Sequence, residues 1–277
     1  MEEIIKKESS RPLFTIITVC YNAVECIEKT INSVISQNFN NYEYIVVDGV
    51  STDGTIEIIR KFEDKINNWI SEPDSGIYNA MNKAILLSKG DYCLFLNAGD
   101  YLLNENVLSW VAPYIKDKAV YTGGCVTTQK DKIDDWYYAP QNPSLWNFYT
   151  GSICHQSSFI PRDLLLENPY DENLKLVSDW KFWLEQLVIN NFCYYSIPVT
   201  VCVFNMDGST YKYVELGRLE RGKVLSELFP ERILSDYYNR LNNEGVFQIF
   251  MRRTKNFIRR QRRILLFKIK EKSDKQY

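Results

Sequence analysis

Along the first hundred residues, β-branched apolar runs alternate with stripes of helical period. Leu13-Phe-Thr-Ile-Ile-Thr-Val19 is continuous, which predicts a strand buried on both faces. Ile27, Ile31, Val34 and Ile35 share one face of a predicted helix. Tyr44-Ile-Val-Val47 predicts a second strand, and Ile56, Ile59 and Phe62 a second helix opened by the capping residues Ser51, Thr52 and Asp53. Asn68-Trp-Ile70 reads as a short strand. Ile77, Met81, Ala84 and Ile85 stripe a third helix, closed by Gly90, and Tyr92-Cys-Leu-Phe-Leu96 is a fourth strand.

This alternation predicts an α/β fold with a mostly parallel sheet and right-handed crossovers. Ligands of such sheets bind beyond the carboxyl ends of the strands. The informative residues are therefore Cys20-Tyr-Asn22, Asp48-Gly-Val-Ser-Thr-Asp53, Glu72-Pro-Asp-Ser-Gly76 and Asn97-Ala-Gly-Asp100. From about residue 119 the rhythm loosens. Val120 to Val126 reads as a strand, Trp180, Trp183, Leu184, Leu187 and Val188 as a helix capped by Ser178, and Cys193 to Phe204 as a strand interrupted by Pro198. From Val214 onward the pattern is helical. A soft boundary near Met206-Asp-Gly-Ser-Thr210 divides the chain into residues 12–210 and a helical extension, 211–277.

Composition narrows the chemistry. The 277 residues are 45% hydrophobic and 25% charged, which fits a globular protein and excludes a disordered or collagenous chain. A single histidine rules out a multi-histidine metal site. Seven cysteines without a C-x-x-C predict buried thiols in a reducing compartment, not a disulfide frame or zinc site. The N-terminal MEEIIKKESSRP lacks an apolar signal core, and no stretch approaches the roughly 20 apolar residues of a membrane span. A cytoplasmic location follows as the expectation.

Charge is unevenly spread. Between Arg252 and Lys275 stand 11 Lys/Arg against 2 acids, which leaves 22 bases and 33 acids elsewhere. Phe250, Phe257, Ile258, Ile264 and Leu265 punctuate the basic pairs, so the tail predicts a basic amphipathic helix on an anionic membrane surface. A helix docked on the acidic body is the plainer alternative. No nucleic-acid module accompanies the charge, so no nucleic-acid partner is expected.

Neither common glycine-rich phosphate cradle occurs. Acids gather instead at the strand ends: Asp48, Asp53, Asp74 and Asp100. Carboxylates facing one crevice repel each other and a phosphate. A divalent cation, Mg²⁺ or Mn²⁺, resolves both conflicts and points to a metal-bridged nucleotide. Each acid also has a structural reading, Asp53 as a helix cap above all.

Ile16-Thr-Val-x-Tyr-Asn22, Val46-Val-Asp-Gly-x-Ser-Thr-Asp-Gly-Thr55, Glu72-Pro-Asp-Ser-Gly-Ile-Tyr-Asn-Ala-Met-Asn-Lys83 and Phe95-Leu-Asn-Ala-Gly-Asp100 resemble, in order, the motifs of family 2 glycosyltransferases of GT-A fold, of the kind that builds bacterial polysaccharides such as colanic acid. The resemblance covers about 12–210 and implies a Rossmann-like GT-A domain. It implies that Thr18, Tyr21 and Asn22 line a nucleotide pocket, that Asp48 bonds the base or ribose, and that Asp53, Asp74, Lys83 and Asn97 complete the nucleotide-sugar site. Asn97 departs from the family's D-x-D, which leaves Asp100 as the main metal ligand, with His155 beside it. His155-Gln-Ser-Ser-Phe159 and Arg162 would begin the acceptor side, Tyr78 would pack there or touch the acceptor, and Asp179 would be the catalytic base.

The implied enzyme is an inverting, hexosyltransferase-type glycosyltransferase (EC 2.4). It would move a sugar from a nucleotide-sugar, a UDP-sugar by expectation, to a hydroxyl of a glycan or lipid-linked glycan, on the inner face of the cell membrane. Two rivals remain: a nucleotidyltransferase, which would release pyrophosphate, and a non-catalytic nucleotide-sugar or glycan binder. Trp180 and Trp183 read as core.

Overall fold

A computed structural model describes residues 11–130, 132–206 and 213–243. The basic tail from Arg252 and its expected membrane helix lie outside these described residues.

Strand β1 (Phe14–Cys20) is buried along its whole length, as its unbroken apolar run requires. It pairs in parallel with β2 (Tyr42–Asp48) and β4 (Tyr92–Phe95), and β2 pairs in parallel with β3 (Asn68–Ser71). The crossovers are α1 (Ile27–Ile35), α2 (Thr55–Lys61) and α3 (Ile77–Leu87). Four parallel strands thus end at one edge, each feeding a polar loop. The sheet continues through β5 (Tyr101–Leu102), β6 (Val120–Gln129), β8 (Ser158–Pro161) and β9 (Tyr194–Asn205), in the order β3-β2-β1-β4-β8-β6-β9-β5, with β7 (Lys132–Tyr137) hairpinned onto β6.

Alternate residues of each buried strand feed two cores. Ile16, Tyr44 and Val46 pack with Ile27, Ile31 and Ile59 of α1 and α2, and with α4 (Val107–Val111). Ile17, Ile45 and Phe95 pack with Met81 and Ala84 of α3. The same core holds Phe148 of α5 (Leu145–Thr150), Leu165 of α6 (Arg162–Glu167), and Trp180 and Trp183 of α7 (Ser178–Trp183). Both tryptophans are core residues, and Trp180 Nε1 donates to the Phe148 carbonyl at 3.0 Å. Later in the chain come α8 (Val214–Leu228) and α9 (Glu231–Asn243). No described helix is long and apolar enough to cross a membrane.

Three local expectations differ in detail. Gly90 does not close α3, whose cap is Ser88; a Cβ at Gly90 would lie 2.7 Å from Thr15 N, so glycine lets two backbones approach. Ser178 is the first residue of α7 rather than its cap, and α7 runs on as a π-helical turn over Leu184–Ile189. Pro198 does not interrupt β9. The β6–β9 register shifts around Gly124, between the Thr122–Ser196 and Gly124–Thr200 pairs, and Pro198 lies in that irregular stretch, where its missing N–H costs no regular ladder bond.

Candidate active site

Asp48 ends β2 fully buried. Its carboxylate accepts from Ser51 N (2.9 Å), Ser71 Oγ (2.7 Å) and Ser51 Oγ, with the Cys20 thiol at 3.6 Å. It therefore ties the ends of β1, β2 and β3 together. Asn22, at φ 48°, accepts from Thr52 N through Oδ1 (2.9 Å), and its own N–H donates to Ser51 Oγ (2.8 Å). Asp53 accepts from Thr55 N and Oγ1 at the start of α2 and from Val24 N, which draws its pKa down. The N-cap of α2 is Gly54, so Asp53 stands one residue before the cap expected of it and holds the first helical residue from there. Thr18 is fully buried, its hydroxyl between Tyr44 Oη (3.0 Å) and the Leu96 carbonyl (2.8 Å), inside the sheet rather than on its edge.

Two groups do face outward together. Tyr21 is 67% exposed, and Asp74 lies beside it across Gly49. A Cβ at Gly49 would stand 2.6 Å from Asp74 Oδ2 and 3.4 Å from the Tyr21 ring, so a side chain there would push the Asp74 carboxylate aside. An open ring face next to a carboxylate suits a nucleobase, which can stack on one and hydrogen-bond the other. Lys83 does not pair with Asp74. Its ammonium binds Glu72 (2.7 Å) and the Pro73 carbonyl (2.7 Å), while Asp74 caps Gly76 N at 2.9 Å.

At the end of β4 the site changes character. Asp179, from the first turn of α7, accepts from Tyr78 Oη at 2.8 Å through Oδ1 and meets His155 Nδ1 at 3.0 Å through Oδ2. The far side of the same imidazole, Nε2, lies 3.4 Å from Asn97 Nδ2. Burial works against the charge on Asp179, but the bonds from His155 and Tyr78 outweigh it and hold its pKa below the usual carboxylate range. Burial likewise works against a charged His155, and Asp179 outweighs it, raising the imidazole above 6.5.

Asp100 sits behind Asn97, only 5% exposed. Its Oδ1 accepts from Asn205 N (2.9 Å) and its Oδ2 from Gln156 Nε2 (3.2 Å). Burial pushes its pKa up to about 7. Asn97 Oδ1, by contrast, is buried with no hydrogen-bond partner. His155 Nε2 faces the amide nitrogen of Asn97, so the unpartnered oxygen is by itself a ligand of the kind Mg²⁺ or Mn²⁺ takes, and the imidazole is a second candidate nearby.

Arg162 lies elsewhere: its guanidinium holds Ser88 at the opposite edge of the sheet, beside Asp91 and Lys116. Tyr78 and Arg221 carry more than the sequence assigned them. Tyr78 follows Gly76, whose φ of 136° starts α3 and aims the phenol at α7. Arg221 of α8 stacks 4.9 Å over Trp180, donates to the Gly151 carbonyl, and stands close enough to feel the Asp179 charge. Its position beyond residue 210 hid it.

The family model for glycosyl transferase family 2 matches residues 15–163, from β1 into α6. The chain belongs to that family. A PGL/p-HBAD biosynthesis glycosyltransferase of Mycobacterium bovis is 30% identical over 179 residues, 62% of this chain and 68% of that protein. A shorter stretch of 93 residues, 32% of this chain and 37% of the relative, is 40% identical to a Bacillus subtilis protein named for teichuronic acid biosynthesis, TuaG. Among solved structures, S. aureus TarS residues 1–349 in complex with UDP-GlcNAc superpose with a TM-score of 0.60 at 22% identity, over 82% of this chain and 72% of that one. The chain spans 44% of the longer TarS chain. The curled sheet is thus that of a GT-A glycosyltransferase, with relatives named for polysaccharide synthesis.

Proposed function

We propose that this family 2 glycosyltransferase moves a sugar from a UDP-sugar to a hydroxyl of a glycan or lipid-linked glycan, with inversion at the anomeric carbon. The observation that carries the reading is the Asp179 carboxylate, ionised and fixed by Tyr78 and His155 at the edge where four parallel strands end. Each oxygen keeps a lone pair beyond its hydrogen bond, so the carboxylate can still take the acceptor hydroxyl's proton as that oxygen attacks. A base fixed at both oxygens needs no reorientation during the attack.

The Tyr21–Asp74 pair across Gly49 supports a nucleobase subsite, and Asn22 and Asp48 would hold the loops that shape it. The diphosphate would lie toward Asn97 and His155, with any divalent cation held by Asn97 Oδ1 and His155 Nε2. Such a cation would neutralise charge growing on the leaving nucleoside diphosphate. Asp100, with both oxygens bonded to protein, would fix that loop from behind. Arg221 and Trp180 would wall the acceptor side. The basic tail supports a peripheral site at the inner membrane face.

The experiment is incubation with a panel of UDP- and GDP-sugars and a lipid-linked or polysaccharide acceptor. Acceptor-dependent release of nucleoside diphosphate with glycosidic product supports the reading. Release of pyrophosphate, or donor binding with no turnover on any acceptor, contradicts it.

A further inference from the structure

Behind the His155 turn, the fold assembles three thiols that are far apart in sequence. Cys125 on β6 and Cys202 on β9 are register partners on adjacent strands, so their side chains leave the sheet on one face. Cys154 enters from the loop that leads into the 3₁₀ turn His155–Ser157. All three sulfurs lie within 4.8 Å of one another. No other group of three or more His, Cys, Asp or Glu ligand atoms this close occurs among the described residues.

We propose that Cys125, Cys154 and Cys202 form a binding site for a soft divalent metal ion of the Zn²⁺ or Cd²⁺ class, separate from the cation expected at the diphosphate. Bonds of about 2.3 Å to three thiolates place the sulfurs about 4 Å apart, close to the spacing the fold already provides. Sulfur ligands select this class of ion over Mg²⁺ or Mn²⁺, which take oxygen ligands. Three protein ligands leave one position open for water or an exogenous ligand. On binding, three S–H bonds break, three metal–sulfur bonds form, and three protons pass to solvent. No oxidant is needed, since all seven cysteines are free thiols.

Access runs through Cys154. Cys125 and Cys202 are 1% and 0% exposed, whereas Cys154 is only partly buried. Its thiol also reaches Gln156 Oε1 at 3.2 Å, and the Gln156 amide nitrogen bonds Asp100. A metal at the three sulfurs would therefore anchor, from behind, the turn that presents His155 to Asp179.

The test uses the reduced, metal-free full chain. Titration with Cd²⁺ should raise a thiolate-to-metal charge-transfer band that saturates at one ion per chain. Cys154→Ser should abolish the band, and Cys193→Ser, at an exposed thiol outside the cluster, should retain it. On the unaltered chain, free Zn²⁺ at ten times its Kd should slow alkylation of Cys154 about tenfold by mass action while leaving Cys193 reactive. The second readout needs no variant to fold. No saturating band, a band that survives Cys154→Ser, or Cys154 alkylation indifferent to Zn²⁺ would overturn the site.

Discussion

The phenol of Tyr78, in the first turn of α3, donates to Asp179 Oδ1 at 2.8 Å, joining residues 101 apart in sequence. The contact spans the two helices that flank the cleft on one face of the sheet. It fixes the carboxylate's rotation and stabilises its charged form, and burial and the neighbouring carboxylate in turn push the Tyr78 pKa well up, so the phenol stays a donor. Tyr78→Phe removes one charge-assisted bond and leaves the ring in place. We expect kcat to fall about tenfold, a change of about 1.4 kcal/mol, with little change in donor KM. Steady-state kinetics checks the split; a rise in KM alone would place Tyr78 in donor binding.

His155 carries a sign that can be worked out. Its pKa lies above 6.5, so it is protonated at low pH and neutral at high pH. A protonated imidazole cannot ligate a cation through Nε2. Mn²⁺-dependent donor binding should therefore weaken as pH falls through the raised His155 value. Asp179, with a pKa below the ordinary 3.8, stays ionised throughout that range. In His155→Gln, donor affinity should lose this acid limb. Calorimetric titration of donor with and without Mn²⁺, across pH 5.5 to 8.5, measures it.

Asn97 and Asp100 should separate into two phenotypes. Asn97→Ala removes the unpartnered buried oxygen and should weaken donor binding only when Mn²⁺ is present. Asp100→Ala strips the partner from Asn205 N and Gln156 Nε2, which should cost about 1–3 kcal/mol of stability with or without metal. Thermal unfolding and metal-dependent binding on both variants distinguish them.

Most of the frame was legible because it rests on burial. β1, β2 and β4 are continuous apolar runs, and α1 and α3 are one-sided stripes; their observed spans depart from the expected ones by a residue or two. β5, with two residues, escaped because so short a run carries no period, and β8 escaped because it lies outside the strand–helix alternation that marked the equally short β3. The site was legible as a place, since polar residues after parallel strands must gather at one edge. Individual roles were less so. A threonine such as Thr18 looks the same in sequence whether its hydroxyl meets a ligand or the Leu96 carbonyl. Lys83 gave no sign that it would choose Glu72 over Asp74. The three thiols left no spacing signal, because strand pairing and one loop bring them together.

The irregular β6–β9 stretch gives a stability prediction. A Cβ at Gly123 would lie 2.4 Å from the Val199 carbonyl oxygen and 2.7 Å from a Val201 methyl. Neither the strand backbone nor a fully buried valine can yield cheaply. Gly123→Ala should destabilise the fold by about 1–3 kcal/mol, read as a lower midpoint in urea unfolding with an unchanged slope.

The most direct test of the proposed chemistry is Asp179→Asn, which keeps the shape and removes the proton acceptor. Measured side by side, donor affinity by calorimetry should change by less than about threefold, while sugar transfer should fall by about 10²–10⁴-fold. Transfer that survives in Asp179→Asn at anything near the native rate would contradict the assignment of this carboxylate as the base.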